Sequence, residues 1–529
     1  MEVQIISQEI IKPSAPTPHH LRTYKLSGKD QIAALAYVPV ILFYSPTNEM
    51  SSKNSDYLKK AFSETLTLFY PFAGRIKDVL FIDCNDDGAT YIEAHVTCNM
   101  SVILQQPDIH QLEQLLPCKP DENLDELSTR VMLAVQVNYF DCGGIAVSVS
   151  ISHRVADGSS LVSFVKCWAA ISCGVDHHIV DGVVVDCTSL FPPQDLSGIK
   201  LHESFRNDNT YCKTVTKRFV FYGPKVAALR GKLSNGPYLD RPTRIEAVSA
   251  LMWGAFVGEE NESKKVYKVA AHNVDLRKRL DPPLPQHCIG NIIHTAMAKW
   301  PAKVVDYNGL AGKIHESISL INNDYICQVY ADSITDQGLL AQIVKDPNNW
   351  SLFGFSSWCK FPFYEVDLGF GKPIWVGTAM RLMPRGAFLL DTRDGEGIEA
   401  WVTLSEEAML KFEKNPDILA YASGAQYLHG SNVGAHDGRM HWCSGRYAAA
   451  YDPFNDDAQT IHIEEYEATT ISKSGLYHTT SFCVGLCQGF LRFMKLVGYP
   501  DPDIADHLSV WELEDYECKK IDFEAQDLL

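Results

Sequence analysis

The stretch from Ala134 to Ile171 constrains the fold of this chain more than any other. Residues Ala134 to Ile151 run as two apolar segments around Asp141-Cys142-Gly143-Gly144, and in the second Val147, Val149 and Ile151 alternate with serines. Successive strand side chains point to opposite faces, so this pattern predicts two antiparallel strands joined by a tight turn. Ser159 to Ile171 is apolar over most of its length and predicts a buried helix. Between strand and helix stands Ser152-His153-Arg154-Val155-Ala156-Asp157-Gly158. A side chain where a strand gives way to a loop is held by the strand yet faces outward, a common setting for catalytic groups.

Strand-like and helix-like segments alternate elsewhere too. Tyr57 to Leu68 carries apolar residues at helical spacing and ends at Tyr70-Pro71-Phe72-Ala73-Gly74-Arg75. Residues 172–214 hold Gly, Asp and Pro with few periodic apolar positions, which suits a linker. A second α/β region is expected from Val215 to about Ser423. After that the texture changes to short strand-like segments, among them His441 to Ser444, Thr460 to Ile463 and Phe482 to Leu496. Residues 424–529 hold 17 acids and 7 bases, a net of −10, against 48 acids and 40 bases, a net of −8, before them. The expected division is 1–185, a crossover linker at 186–214, 215–423, and a β-rich extension at 424–529.

A chain of 529 residues is too long for one compact core. Its net charge of −18 is a poor match for nucleic acid, which rewards clustered Lys and Arg. The 15 cysteines are scattered without a CxxC pair, so a disulfide scaffold is not expected. The longest apolar run, Ile32 to Tyr44, has 13 residues and contains Pro39, whereas a spanning helix takes roughly 20. No basic, then apolar leader opens the chain. The composition therefore predicts a reduced, cytoplasmic protein that binds neither membrane nor nucleic acid. P-loop, GxGxxG, HExxH and GxSxG motifs are absent, so no nucleotide or metal cofactor and no serine hydrolase is expected.

The spacing of His153 and Asp157 is by itself weak, because His177 and Asp181 repeat it within a polar segment. Context separates them: only His153 follows a strand and precedes a helix. The His153 segment resembles the active-site motif of the plant BAHD acyltransferases, and other stretches match that family in the same order. They are Leu26-Ser27 with Asp30, Tyr70 to Arg75, Thr243 to Trp253, Val274 to Arg277 with Gly290-Asn291, Ser356-Ser357-Trp358, and Asp367 to Pro373. Gln8 to Pro13 and Phe140 to Gly144 are most similar to its alkaloid-acetylating branch.

The resemblance implies an α/β, two-domain chloramphenicol-acetyltransferase-like fold with mixed sheets, an inter-domain channel and a small β-rich C-terminal extension. It implies acyl transfer, with acetyl expected, from acyl-CoA as co-substrate to a hydroxyl of a plant specialised metabolite, by a monomer that binds these two small molecules. An imidazole titrates near pH 6.5 and is mostly neutral in cytosol, so His153 suits the general base. Asp157 reads either as a triad member bonded to His153 or as a structural partner of Arg277, and the family favours the latter. Ser356 is the expected donor to the developing oxyanion. Asp367, Gly369 and Gly371 are expected to form a turn, with Asp367 also pairing with Arg277. Leu368 and Phe370 depart from the family's Asp-Phe-Gly-Trp-Gly. Lys217, Arg218, Lys278 and Arg279 are candidates for the phosphates of coenzyme A.

Two other readings stay open on the residues alone. The same groups would serve acyl transfer to an amine, and the chain could be a non-catalytic binding module acting through its tail. Asp437 to Trp442, Tyr451 to Phe454, Gly489 to Arg492 and Val510 to Tyr516 resemble strands of an F-box-associated domain, although no F-box helices precede them.

Overall fold

The computed structural model describes residues 1–46, 53–77, 80–120, 130–174, 183–193, 214–259, 267–285, 287–301, 305–332, 350–380 and 385–424. Beyond these it describes the backbone of seven further strands between 434 and 523. The chain forms two compact units, Met1–Ala425 and Gln426–Leu529.

The first unit is built on two mixed sheets. In the first, Val3–Ile11, Ala89–Val96, Leu133–Phe140, Ile145–Ser152, Tyr37–Tyr44 and Trp375–Gly377 lie side by side in that order. The strands read from Ala134 to Ile151 pair antiparallel, with Leu133 opposite Ile151. Gly143 sits at the turn with φ 81°, a conformation that glycine adopts without a Cβ penalty. The helix that follows, Gly158–Ser172, starts because Asp157 caps it: its carboxylate accepts the Ser160 N–H at 2.9 Å. Its apolar stripe meets the helix Lys53–Leu68, where Phe62 packs edge-on against Phe164 and Trp168.

The second sheet has the order Ile293–Pro301, Tyr267–Asp275, Trp350–Ser357, Gly386–Asp391, Ile398–Ser405, Thr214–Phe221 and Ser423–Gly424. One face carries Phe353, Phe355, Ala387, Leu389, Ala400 and Val402 into a core with the helices Gly223–Leu233, Arg244–Glu259 and Glu406–Lys414. Alternation turns Phe388, Leu390 and Trp401 the other way, into the core of the first sheet. The two sheets therefore share a buried boundary. Trp375–Gly377 ties it further, since this strand from the second half of the chain pairs with Ile41 to Phe43 of the first sheet.

A third apolar cluster of Phe191, Val274, Leu276, Leu280, Ile292 and Tyr330 packs beside the strand Tyr267–Asp275. Phe191 falls in the segment expected as a bare linker. Its ring is fully buried and its carbonyl accepts the Gly28 N–H at 2.8 Å, so this part of the segment is anchored by burial. In the second unit, Gly434–His436, Arg439–Ser444 and Tyr447–Tyr451 form one antiparallel sheet. Thr479–Cys487, Phe490–Gly498, His507–Glu514 and Glu517–Phe523 form another. The strand expected at Thr460 to Ile463 lies outside the described residues. Among the described residues, no helix is long and apolar enough to cross a membrane.

Candidate active site

His153 stands one residue past the strand Ile145–Ser152. Its backbone N–H donates to the Ala36 carbonyl at 2.9 Å, which extends the strand's hold into the turn. The side chain is half-buried, and its Nδ1 lies 2.9 Å from Oδ1 of Asn291. The Asn291 amide also donates from Nδ2 to the His153 carbonyl at 2.6 Å and to Asp30 Oδ1 at 2.9 Å. Asn291 thus grips His153 at two points, leaving Nε2 as the ring nitrogen turned away from this contact. Arg154 is buried the other way, with Nη1 donating to the carbonyls of Gln31 and Asp30.

Asp157 does not bond to the imidazole. Its carboxylate receives both arms of the Arg277 guanidinium, at 2.9 and 3.0 Å, the Ser160 hydroxyl at 2.8 Å and the Ile292 N–H at 3.1 Å. Arg277 is fully buried and Asp157 only 2 % exposed. Burial alone would raise the Asp157 carboxyl above its ordinary range, but the Arg277 charge and the bonds from Arg277 and Ser160 outweigh it, and the net shift is downward. A fork-to-fork pair of this kind is directional as well as strong. It clamps the start of Gly158–Ser172 to the loop that carries Asn291. The geometry joins Asp157 to Arg277 and separates it from His153.

Asp367 lies in its own turn, apart from the carboxylates that pair with Arg277. It was expected to pair with Arg277, whose second carboxylate is instead Asp275, at 3.2 Å. Asp367 Oδ1 accepts the N–H groups of Gly369 at 2.8 Å and Gly371 at 2.9 Å. With those acceptor bonds made and both glycines at positive φ, 92° and 78°, the segment closes as a tight turn. Leu368 and Phe370, where the family pattern has Phe and Trp, are buried in the first core, and Phe370 meets Tyr44 at 5.5 Å. The turn feeds the strand Trp375–Gly377.

The cation candidates separate by what they touch. Lys217 bonds Glu413 at 2.7 Å, and Arg218 bonds Glu399 at 2.7 Å while lying over the Trp375 ring. Arg279 donates to the carbonyls of Ile318 and Ile321, at 2.8 and 2.6 Å, and so caps the end of the helix Tyr307–Ser319. All three are engaged in internal bonds. Lys278 is exposed. Ser356 is half-buried at the end of Trp350–Ser357, and among the described residues its hydroxyl has no partner. Two residues on, Trp358 lies against Gly158, so close that a Cβ there would come within 2.2 Å of the indole nitrogen. The end of this strand therefore abuts the helix start next to Asp157.

Local patterns assign no role to Asn291, Asp30, Asp275 or Ser160, although the first three fall in segments that match the family. Asn291 is 138 residues from His153, and no local pattern reports a contact at that separation.

Two mixed sheets with a strand-end histidine at their boundary are the arrangement expected of an acyltransferase of the two-domain α/β kind. The Transferase family model matches residues 1–419, and the chain belongs to that family, the BAHD acyl-CoA-dependent O-acyltransferases. It is 43% identical over 444 residues to limonoid 1-O-acetyltransferase of Citrus sinensis, with 80% of this chain and 99% of the relative covered. Stemmadenine O-acetyltransferase of Catharanthus roseus is 35% identical, covering 77% of this chain and 95% of the relative. The crystal structure of vinorine synthase superposes with a TM-score of 0.66 at 31% identity, over 80% of this chain and 99% of that one.

Proposed function

We propose that this chain transfers an acetyl group from acetyl-CoA to a hydroxyl of a polycyclic plant specialised metabolite of the limonoid or alkaloid kind. One observation carries the reading: a half-buried His153, held through Nδ1 by Asn291, presents Nε2 while Asp157 is committed to Arg277. The limonoid and stemmadenine O-acetyltransferases among its relatives support the choice of acyl group and acceptor.

In this mechanism Nε2 of His153 takes the alcohol proton as the oxygen attacks the thioester carbonyl. The C–O bond forms, the carbonyl electrons move onto oxygen, and Ser356 donates to that oxyanion. Collapse breaks the C–S bond, and the imidazolium returns its proton to the thiolate, leaving ester and free coenzyme A. No acyl-enzyme is needed. Lys278 is the one of the four cation candidates left exposed for a coenzyme A phosphate. The described cysteines are all free, which suits a reducing compartment.

The test is free-thiol release from acetyl-CoA with a pool of limonoid and alkaloid alcohols, for wild type beside His153→Ala. The expected result is acceptor-dependent release that falls by ~10²–10⁴ in the variant. Wild-type turnover in the variant would remove His153 from the mechanism.

A further inference from the structure

The two ends of the Asn291 side chain are chemically distinct, and the residues around them decide which end faces His153. The Nδ2 group can only donate, and it sits between Asp30 Oδ1 at 2.9 Å and the His153 carbonyl at 2.6 Å, both acceptors. Turning the amide over would set Oδ1 against those two oxygens, losing two buried hydrogen bonds and adding two repulsive contacts. Oδ1 therefore faces Nδ1 of His153, at 2.9 Å. An amide oxygen cannot donate, so Nδ1 must.

We propose that Asp30 is a positioning residue that sets the hydrogen pattern of the His153 ring through Asn291: hydrogen on Nδ1, lone pair on Nε2. The catalytic part of this inference rests on His153 being the base.

Asp30 is 1 % exposed and fixed on every side. Its Oδ2 accepts from Ser27 N at 2.9 Å and Ser27 Oγ at 2.7 Å, while Oδ1 accepts from Asn291 N at 3.0 Å as well as Nδ2. Arg154, Tyr24 and Cys187 are the other titratable groups that feel its charge. The arrangement survives a change of charge. Of the groups bonded to the carboxyl, only Ser27 Oγ can accept a hydrogen bond, so a proton would settle on Oδ2 and leave Oδ1 an acceptor for Asn291. The short helix Gly28–Ile32, capped reciprocally by Ser27 and Asp30, is the mount that aims Oδ1. A residue 261 positions away in sequence is thereby held at the right end of the amide.

The test is ¹⁵N NMR of the full chain labelled at histidine, with the His153 signals assigned by their loss in His153→Gln. The expected wild-type spectrum at neutral pH shows Nδ1 protonated and Nε2 bare; the reverse pattern overturns the proposal without any variant. In Asp30→Ala the ring should become a mixture of both forms, and kcat should fall roughly 10–100-fold with KM little changed. Ser27→Ala loosens the same mount but leaves Oδ1 on Asn291, so its effect on ring pattern and kcat should be smaller than that of Asp30→Ala. Asn291→Ala gives a second route to the mixture if Asp30→Ala does not fold. An unchanged ring pattern in the folded Asp30 or Asn291 variant overturns the proposal. Wild type that shows the Nδ1–H form yet releases no thiol supports the positioning and removes the acyltransfer reading instead.

Discussion

Replacing Asp157 by Asn should cost the first unit much of its stability while leaving the chemistry of molecules that remain folded nearly intact. Asn keeps a side-chain acceptor for the helix cap, so the perturbation falls on the charge. Whichever way the amide is placed, its NH₂ faces two donors: Arg277 Nη1 with Ile292 N, or Arg277 Nη2 with Ser160 N. Breaking a buried ion pair costs roughly 3–5 kcal/mol, and Arg277 keeps Asp275 at 3.2 Å, which puts this pair near the lower end. A stranded backbone N–H adds about 1 kcal/mol or more. The expected loss is about 4 kcal/mol, against a total stability of about 5–15 kcal/mol for an ordinary domain. It should appear as a lower urea midpoint and Tm, with kcat per folded molecule close to wild type. The pH dependence has a definite sign. The carboxyl titrates below its ordinary value when folded, so its contribution is complete above about pH 3.9 and is lost as pH falls through the folded value. The Asn variant should lack that part of the acid limb. An unchanged midpoint with abolished turnover would refute the reasoning and make Asp157 a partner of the imidazole.

Gly158→Ala should lower both Tm and kcat, because the new Cβ meets a Trp358 indole pinned by Phe388 at 4.7 Å and Phe363 at 5.3 Å. Overpacking of this kind costs about 1–3 kcal/mol, and unchanged melting would show that Trp358 can yield. Lys29 is 7 % exposed and burial lowers its ammonium pKa from 10.5 to about 8, so wild-type stability should rise with pH between those values. Lys29→Met should abolish that rise and add about 2–3 kcal/mol at pH 7, net of the contact with the Tyr330 ring; a destabilised variant would contradict it. Ser356→Ala should cost about 2.7–4 kcal/mol of transition-state stabilisation, read as kcat with KM unchanged, if the hydroxyl serves the oxyanion. Full turnover would leave it an ordinary strand residue.

The strands around Asp141 to Gly144, the helix after Asp157 and the strand-end position of His153 were legible because each follows from neighbours in the chain. Alternation selects a strand, an aspartate before an apolar run selects a helix start, and their junction fixes the backbone of His153. The tertiary structure alone decided what each polar side chain does. Arg218 and Arg279 read as free cations until Glu399 and the end of Tyr307–Ser319 arrive from elsewhere in the chain. Asp367 read as a partner for Arg277 until the turn at Gly369 and Gly371 claimed its oxygen. The physical reason is range. Backbone preference and burial pattern act over a few residues, whereas a buried charge or donor is satisfied by whichever group the fold brings within about 3 Å, and that group carries no local mark in the sequence.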